Sequence, residues 1–145
     1  LVLLAPAGVK TNERWETEAK NFFSTPNVDS MKEFQKRAYF RPRKVPTRVW
    51  NEIVLKAQQG TNKKVVEAQI EADLLNLRLS TIHRPTLIIW GQEDRIIPIS
   101  AGKQMRDLIP SAIWREISQC SHMLQRECPA PVVQGIIDMI NIGSM

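Results

Sequence analysis

The pattern of apolar and polar positions divides the chain into three stretches. Residues 1–4 are continuously apolar, as in the buried strands of parallel sheets, and Ala5-Pro6-Ala7-Gly8 ends that run. Residues 10–80 repeat apolar positions at helical spacing. From residue 84 onward, short strand-like runs alternate with helix-like stripes. The pattern predicts one buried strand, then a mainly helical segment, then an α/β unit.

The helical segment contains three apolar stripes, each at the spacing of one helix face. Residues 41–46 contain two prolines and separate the first stripe from the second, because proline lacks an amide donor and disfavours helix before it. Gly60-Thr61-Asn62 is expected to end the second stripe. Such stripes usually pack into a core. The three stripes, in chain order, are Met31, Phe34, Ala38 and Tyr39; Val49, Trp50, Ile53, Val54 and Ala57; and Val66, Ile70, Leu74 and Leu77.

The last part of the chain has the order strand, helix, strand, helix. Strands are predicted at residues 86–90 and 112–117, with a helix ending at Pro110 between them. This alternation predicts parallel pairing through right-handed crossovers, and residues 1–4 add a third strand. The apolar stripes of the two helices are Ala101, Met105, Leu108 and Ile109, and Val132, Val133, Ile136, Ile137 and Ile140.

Two loops predicted at one edge of the sheet carry residues suited to catalysis. Asp94 follows the strand that ends at Trp90, and His122 follows the strand that ends near Ile117. Functional groups in parallel sheets gather beyond the carboxyl ends of strands, where a carboxylate can orient an imidazole and stabilise its charged form. The alternative is structural, since a loop aspartate is usually a turn residue and a loop histidine is usually exposed.

Three segments resemble those of α/β-hydrolases. Arg84-Pro85-Thr86-Leu87-Ile88-Ile89-Trp90-Gly91-Gln92-Glu93-Asp94, followed by Ile97-Pro98, is similar to the family's acid-bearing segment. Ser121-His122 followed by Glu127-Cys128-Pro129 resembles its histidine segment, where Gly-His usually precedes Glu-x-Pro. Residues 1–8 resemble the strand after the nucleophile-bearing helix. Acid before histidine is also the family's order.

This resemblance implies catalytic roles for Asp94 and His122 as the acid and the histidine of a triad. Residues 1–9 and 81–145 would form the carboxyl-terminal part of the α/β-hydrolase core, and residues 10–80 a helical cap or lid. The implied fold class is α/β: a partial α/β-hydrolase fold of about three parallel strands with flanking helices, plus a mainly helical cap.

The sequence departs from the family pattern in two places. Ser121 stands where the family usually has glycine before the histidine. No G-x-S-x-G nucleophile motif occurs, and the terminal Gly143-Ser144 has no turn and helix after it. The oxyanion donors belong to that motif and to an earlier loop. We therefore expect a carboxyl-terminal half-fold that supplies the acid and the histidine, lacks the nucleophile-bearing half and is inactive alone.

The resemblance implies a serine hydrolase acting on carboxylic esters such as acylglycerols, because Phe40-Arg41-Pro42 is similar to the caps of monoacylglycerol-lipase-like members. Carbon–carbon bond hydrolases of ring-cleavage products share the acid and histidine motifs and are an alternative. Epoxide hydrolases usually have two cap tyrosines, whereas Tyr39 is the only tyrosine here. The alternative from another class is a non-catalytic binding or assembly module that keeps the half-fold.

Other candidate residues have simpler structural interpretations. Cys120 lies two residues before His122 and could be a thiol nucleophile, but a buried inert cysteine is expected. The histidines and cysteines lack zinc-ligand spacing, so no metal site is expected. We expect Glu93 to be a solvated carboxylate, and Glu127 to hold the histidine loop and cap the last helix. Three aromatic residues of the cap should pack, or could line an acyl pocket: Trp15, Tyr39 and Trp50.

Composition adds expectations about partners and location. The net charge is +5, and residues 10–50 hold that excess, with ten Lys or Arg against five Asp or Glu. No nucleic-acid motif accompanies it, so we expect no nucleic-acid partner. A solvated basic face and peripheral contact with an anionic membrane are the two interpretations. No phosphate loop is present, so no cofactor is expected. Two cysteines make no disulfide framework and favour a reduced, cytoplasmic compartment.

The first strand also predicts association. In the family's sheet this strand is internal, between the acid-bearing strand and the nucleophile strand. Without the latter, residues 1–4 would expose unpaired amides and carbonyls on an apolar strand, which is a template for pairing with another chain. We expect a homo-oligomer, or a chain paired with the nucleophile-bearing half of the fold.

Overall fold

The chain forms one parallel sheet flanked by helices. No described helix is long and apolar enough to cross a membrane. The computed structural model describes residues 1–10, 25–59, 75 and 78–142. The elements in chain order are β1 (Val2–Leu4), α1 (Val28–Ala38), α2 (Thr47–Gln59), a 3-10 helix (Leu79–Thr81), β2 (Thr86–Gly91), α3 (Ile99–Leu108), β3 (Ala112–Ile117), α4 (Leu124–Glu127) and α5 (Pro129–Ile142).

The sheet has the order β1-β2-β3, and both pairings are parallel. Ile88 of β2 lies opposite Leu3 of β1 and Trp114 of β3. Every residue of β2 is buried. β1 was predicted to be a buried strand, but its residues are only half-buried. The reason is that β2 is its only neighbour among the described residues, so its other edge is uncovered there.

The predicted helices are confirmed wherever the structure describes them. The first, second, fourth and fifth apolar stripes of the sequence correspond to α1, α2, α3 and α5. The third stripe, the stop at residues 60–62 and Trp15 lie outside the described residues. The four-residue helix α4 was not predicted, because it is too short to show a periodic pattern. Asn27 caps α1 in a capping box, since its side chain accepts from the amide of Ser30 and the Ser30 hydroxyl accepts from the Asn27 amide.

Helices cover both faces of the sheet. Gly102 of α3 lies against Trp90, and Gly135 of α5 lies against Ile89. Successive residues of a strand point to opposite faces, so α3 and α5 lie on opposite sides of β2. Trp90 is fully buried and stacks on Trp114 with ring centroids 6.1 Å apart. Close packing of glycine on an indole therefore sets how near α3 lies to the sheet.

The helices α1 and α2, called here the helical pair (residues 28–59), pack against each other between β1 and β2 in sequence. Met31 and Trp50 are their buried apolar residues of largest size. The carboxyl-terminal end of α1 also contacts the loop after β3, because the Met123 amide donates to the Ala38 carbonyl at 3.1 Å. The helical pair is therefore tied to the sheet at the edge where the candidate site lies.

We predict that Gly102→Ala lowers the free energy of unfolding by about 1–3 kcal/mol, the usual cost of overpacking a core. A Cβ at this position would overlap the Trp90 ring and lie 2.7 Å from Cη2 of Trp114. Urea unfolding of the two proteins measures the difference. Gly135→Ala is the matched control, because its nearest contacts are side-chain atoms 3.2 Å away and alanine favours helix. Equal stability of the two variants would contradict the prediction.

Candidate active site

The loop after β2 fixes the Asp94 carboxylate. The side chain of Asp94 is completely buried. Its Oδ1 accepts from the amides of Ile96 and Ile97 at 2.8 and 2.9 Å. These two backbone donors hold one carboxylate oxygen and leave the other, Oδ2, for a different partner.

That partner is His122. Nδ1 of His122 lies 2.9 Å from Oδ2 of Asp94, and the imidazole is about one-fifth exposed. The predicted approach of these two residues within hydrogen-bond reach is thus confirmed. No described residue forms a hydrogen bond with Nε2 of His122, so this nitrogen can bond to another group. A buried carboxylate on Nδ1 selects the tautomer whose free Nε2 accepts a proton and stabilises the imidazolium formed afterwards.

Gly91 allows the two loops to approach closely. A Cβ at Gly91 would overlap the carbonyl oxygen of Cys120 and lie 2.6 Å from that of Ser121. Such contacts are closer than a side chain tolerates, so residue 91 must be glycine for the loop after β3 to lie here. The Glu93 amide donates to the Cys120 carbonyl at 3.2 Å across the same junction.

Glu93 has a structural partner, which corrects the expectation that it is a solvated carboxylate. Its Oε2 accepts from the Cys120 amide at 2.9 Å, and the residue is half-buried. The reason is that the loop after β3 folds back over the end of β2 and presents its amide to this side chain. Glu93 therefore holds the backbone of the histidine loop, whereas Asp94 holds the histidine ring.

Ser121 joins three segments. It is fully buried, and its hydroxyl lies 2.7 Å from the carbonyl oxygen of Arg37 and 3.0 Å from that of Glu93. It links the end of α1 to the two loops of the candidate site. The glycine usual at this position in the family has no hydroxyl for such a link. The substitution noted in the sequence thus adds a contact between the helical pair and the residue before His122.

Glu127 makes a second connection between the helical pair and the histidine loop. Its two carboxylate oxygens accept from the amides of Phe40, Arg41 and Ser121 at 3.0, 2.8 and 2.9 Å. The prediction that Glu127 holds the histidine loop is confirmed. Among the described residues no amide of α5 donates to it, so capping of the final helix is not its role. Its bonds reach the start of the loop after α1 instead.

Cys120 and Cys128 form a disulfide with Cα atoms 6.2 Å apart. The expectations of reduced cysteines, and of Cys120 as a free inert thiol or a nucleophile, are therefore wrong for this structure. The physical reason is α4, which turns the chain so that two residues eight positions apart come together. The bond closes the loop that contains Ser121, His122 and Glu127. The cysteines consequently no longer argue for a reducing compartment.

A cavity of about 750 Å³ lies beside the histidine loop. Its walls come from the helical pair and from Arg126 and Glu127 of α4, and Tyr39 and Trp50 are among its lining residues. Trp50 thus packs in the core, as expected, and also faces the cavity. His83 is exposed in the loop before β2. The described residues contain no cluster of three or more metal-ligating side chains.

The carboxylate of Glu116, near the end of β3, has a lowered pKa. The Trp114 indole, and then the Gln92 amide, donate to its carboxylate and hold its pKa below the ordinary value, with Lys103 adding a favourable charge. Gln92 begins the loop that carries Asp94. The contact therefore joins the acid loop to β3.

The fold and the site together define a class: a parallel α/β protein whose acid and histidine follow adjacent strands at one sheet edge. A family comparison agrees with this class. Residues 6–128 match the family described as alpha/beta hydrolase fold, and the chain belongs to that family.

Individual relatives match shorter segments. The chain is 34% identical over 70 residues to an uncharacterized hydrolase, YugF, of Bacillus subtilis, covering 48% of this chain and 26% of that protein. It is 35% identical over 63 residues to a 2-hydroxy-6-oxononadienedioate/2-hydroxy-6-oxononatrienedioate hydrolase of Pseudomonas putida, covering 43% and 22%. The chain thus aligns with about a quarter of the length of these curated relatives.

Among solved structures, a meta-cleavage product hydrolase from Pseudomonas fluorescens superposes with a TM-score of 0.77 at 18% identity. That superposition covers 98% of this chain and 55% of the other. At such identity the likeness concerns the fold. The partial α/β-hydrolase fold expected from the sequence is confirmed.

We predict that Cys128→Ser lowers the free energy of unfolding by about 2 kcal/mol, because the disulfide no longer restricts the unfolded chain. Cys128 is preferred to Cys120 because Cys120 is fully buried. Urea unfolding with and without dithiothreitol measures the effect. Dithiothreitol should destabilise the original chain by a similar amount and leave the variant unchanged. A reductant-insensitive original chain would refute the assignment.

We predict that Glu127→Gln destabilises the chain by about 1–3 kcal/mol, because one amide loses its charged acceptor and faces an NH₂ group. Thermal and urea unfolding measure the change. The matched control is Glu33→Gln. Glu33 pairs with Arg37 on the surface of α1, and such pairs contribute less than about 1 kcal/mol. The prediction fails if both substitutions cost the same.

Proposed function

We propose that residues 1–145 form part of a serine hydrolase, with Asp94 and His122 as the acid and histidine of its catalytic triad. The observation that carries this proposal is the 2.9 Å contact between the buried Asp94 carboxylate and Nδ1 of His122, at the carboxyl ends of adjacent strands. Membership of the alpha/beta hydrolase fold family supports it. The nucleophile and the oxyanion donors belong, on this proposal, to a part of the complete enzyme beyond these residues.

The proposed substrate class is carboxylic esters with apolar acyl groups. Nε2 of His122 takes the proton of the serine hydroxyl while the serine oxygen attacks the ester carbonyl. The protonated imidazole then gives this proton to the leaving alcohol, which leaves an acyl-enzyme. A water molecule then gives a proton to Nε2 of His122 while its oxygen attacks the acyl carbonyl. The protonated imidazole returns a proton to the serine oxygen as the bond to the acyl group breaks, and the acid is released. Asp94 keeps Nδ1 protonated and stabilises the transient positive charge on His122 throughout.

The helical pair serves as part of a cap in this proposal. It lies between β1 and β2 in sequence, and Ser121 and Glu127 attach it to the loop that carries His122. A cap at this place would exclude water from the acyl-enzyme and would line the pocket for the acyl group.

A second candidate is a carbon–carbon bond hydrolase of ring-cleavage products. The observation that favours it is the identity of 32–41% to several 2-hydroxy-6-oxononadienedioate hydrolases over 49–63 residues. The same acid–histidine pair would serve that reaction. The complete enzyme should be assayed in parallel with p-nitrophenyl butyrate, a monoacylglycerol and 2-hydroxy-6-oxononadienedioate. Turnover of the dienedioate alone would replace the ester proposal, and turnover of none would favour a non-catalytic module.

We predict that Asp94→Asn and His122→Ala each lower kcat of the complete enzyme by roughly three to four orders of magnitude, because the triad acts as a unit. Steady-state hydrolysis of the best substrate measures the loss. Glu93→Gln is the matched control. Its amide keeps an oxygen acceptor for Cys120, and it does not touch His122, so kcat should fall less than about tenfold. A larger loss for Glu93→Gln would show that the wrong carboxylate was chosen.

A further inference from the structure

The cavity beside the histidine loop has an apolar interior. Met31 and Phe34 line it from α1, and Trp50 and Ile53 line it from α2. Its volume of about 750 Å³ falls within the range of small-molecule pockets, which are mostly apolar with a few well-placed polar groups. Neither Asp94 nor His122 lines it, so it is distinct from the acid–histidine pair.

Four cations surround this apolar interior: Arg41, Arg43, Lys56 and Arg126. Arg41 already has a hydrogen-bond partner, because its guanidinium donates to Oε1 of Gln119 at 2.7 Å. The other three are exposed and have no ion-pair partner among the described residues. Unpaired cations around an apolar pocket form an amphipathic site in which a buried chain and an anionic group can bind together.

Glu127, the one carboxylate among the described lining residues, does not neutralise these cations directly. Both oxygens of Glu127 accept backbone amides, from Phe40, Arg41 and Ser121. A ligand anion would therefore meet the guanidinium groups without displacing a salt bridge. Guanidinium groups bind carboxylate and phosphate through paired N–H donors, which makes either anion a suitable head group.

We propose that this cavity binds a single-chain anionic amphiphile: one acyl or alkyl chain against Met31, Phe34, Trp50 and Ile53, with a carboxylate or phosphate head at Arg43, Lys56 and Arg126. The inference goes beyond the proposed hydrolysis, because binding requires no catalytic step. The loss of all hydrolytic activity would leave it intact.

The test uses isothermal titration calorimetry of the complete protein that carries this chain, with amphiphiles kept below their micelle concentrations. Dodecanoate and dodecyl phosphate should bind, and binding should weaken as salt increases. Dodecyltrimethylammonium, which has the same chain and the opposite charge, should bind at least about tenfold more weakly. Adipate, which has carboxylates without an apolar tail, should also bind at least about tenfold more weakly.

The double variant Arg43→Gln/Arg126→Gln should weaken dodecanoate binding by about tenfold or more. The matched control Arg48→Gln/Arg84→Gln removes the same charge outside the cavity and should change the affinity less than twofold. If circular dichroism shows that the first pair is unfolded, Lys56→Gln replaces it and should weaken binding several-fold.

Several results would overturn the proposal. Equal binding of the cationic amphiphile would show that the head group is not recognised. Equal binding of adipate would show that the tail is not. Affinity that falls equally in the control pair would indicate attraction by net charge alone. Binding only to anionic phospholipid vesicles, with no binding of monomeric dodecanoate, would assign the cations to a membrane surface instead.

Discussion

The loops that follow β2 and β3 meet backbone to backbone at Gly91, and the candidate site depends on this contact. The carbonyl groups of Cys120 and Ser121 occupy the space that a side chain at residue 91 would fill. Only with this approach do the imidazole of His122 and the carboxylate of Asp94 come within 2.9 Å. The parallel pairing of β2 with β3 brings the loops to one edge, and glycine removes the last steric barrier between them.

The same contact determines which hydrogen bonds connect the helical pair to the candidate site. Because the histidine loop lies over the end of β2, Ser121 is buried and its hydroxyl reaches the last turn of α1. Glu127 then fixes the residues that follow α1 against the same loop. A displacement of the helical pair would therefore strain the backbone on either side of His122. Polar contacts in a buried place couple these segments more tightly than apolar packing alone, because an amide left without its acceptor is costly.

Much of this arrangement could be predicted from the sequence because it follows from local patterns. Continuous apolar runs bounded by proline and glycine identified the strands, and parallel topology placed Asp94 and His122 together. The contacts of Ser121 and Glu127 with residues 37–41 could not be predicted, since they join positions more than 80 apart and depend on where α1 docks. The disulfide depends on α4, which is too short to leave a pattern. The cap of the first helix by Asn27 was predictable from the sequence, because asparagine is a favoured N-cap residue.

The neighbouring carboxylates Glu93 and Asp94 show how one loop can serve two purposes. Glu93 accepts from the backbone amide of Cys120 and so sets where the histidine loop lies. Asp94 accepts from two amides of its own loop and from the imidazole, and so sets how the ring is turned. The first contact fixes position and the second fixes orientation and tautomer. Because every one of these partners lies within residues 91–122, the acid–histidine pair is organised before any nucleophile is present. A serine hydroxyl next to Nε2 of His122 would therefore face a base that is already oriented. The entropy lost in ordering that base would not add to the activation barrier.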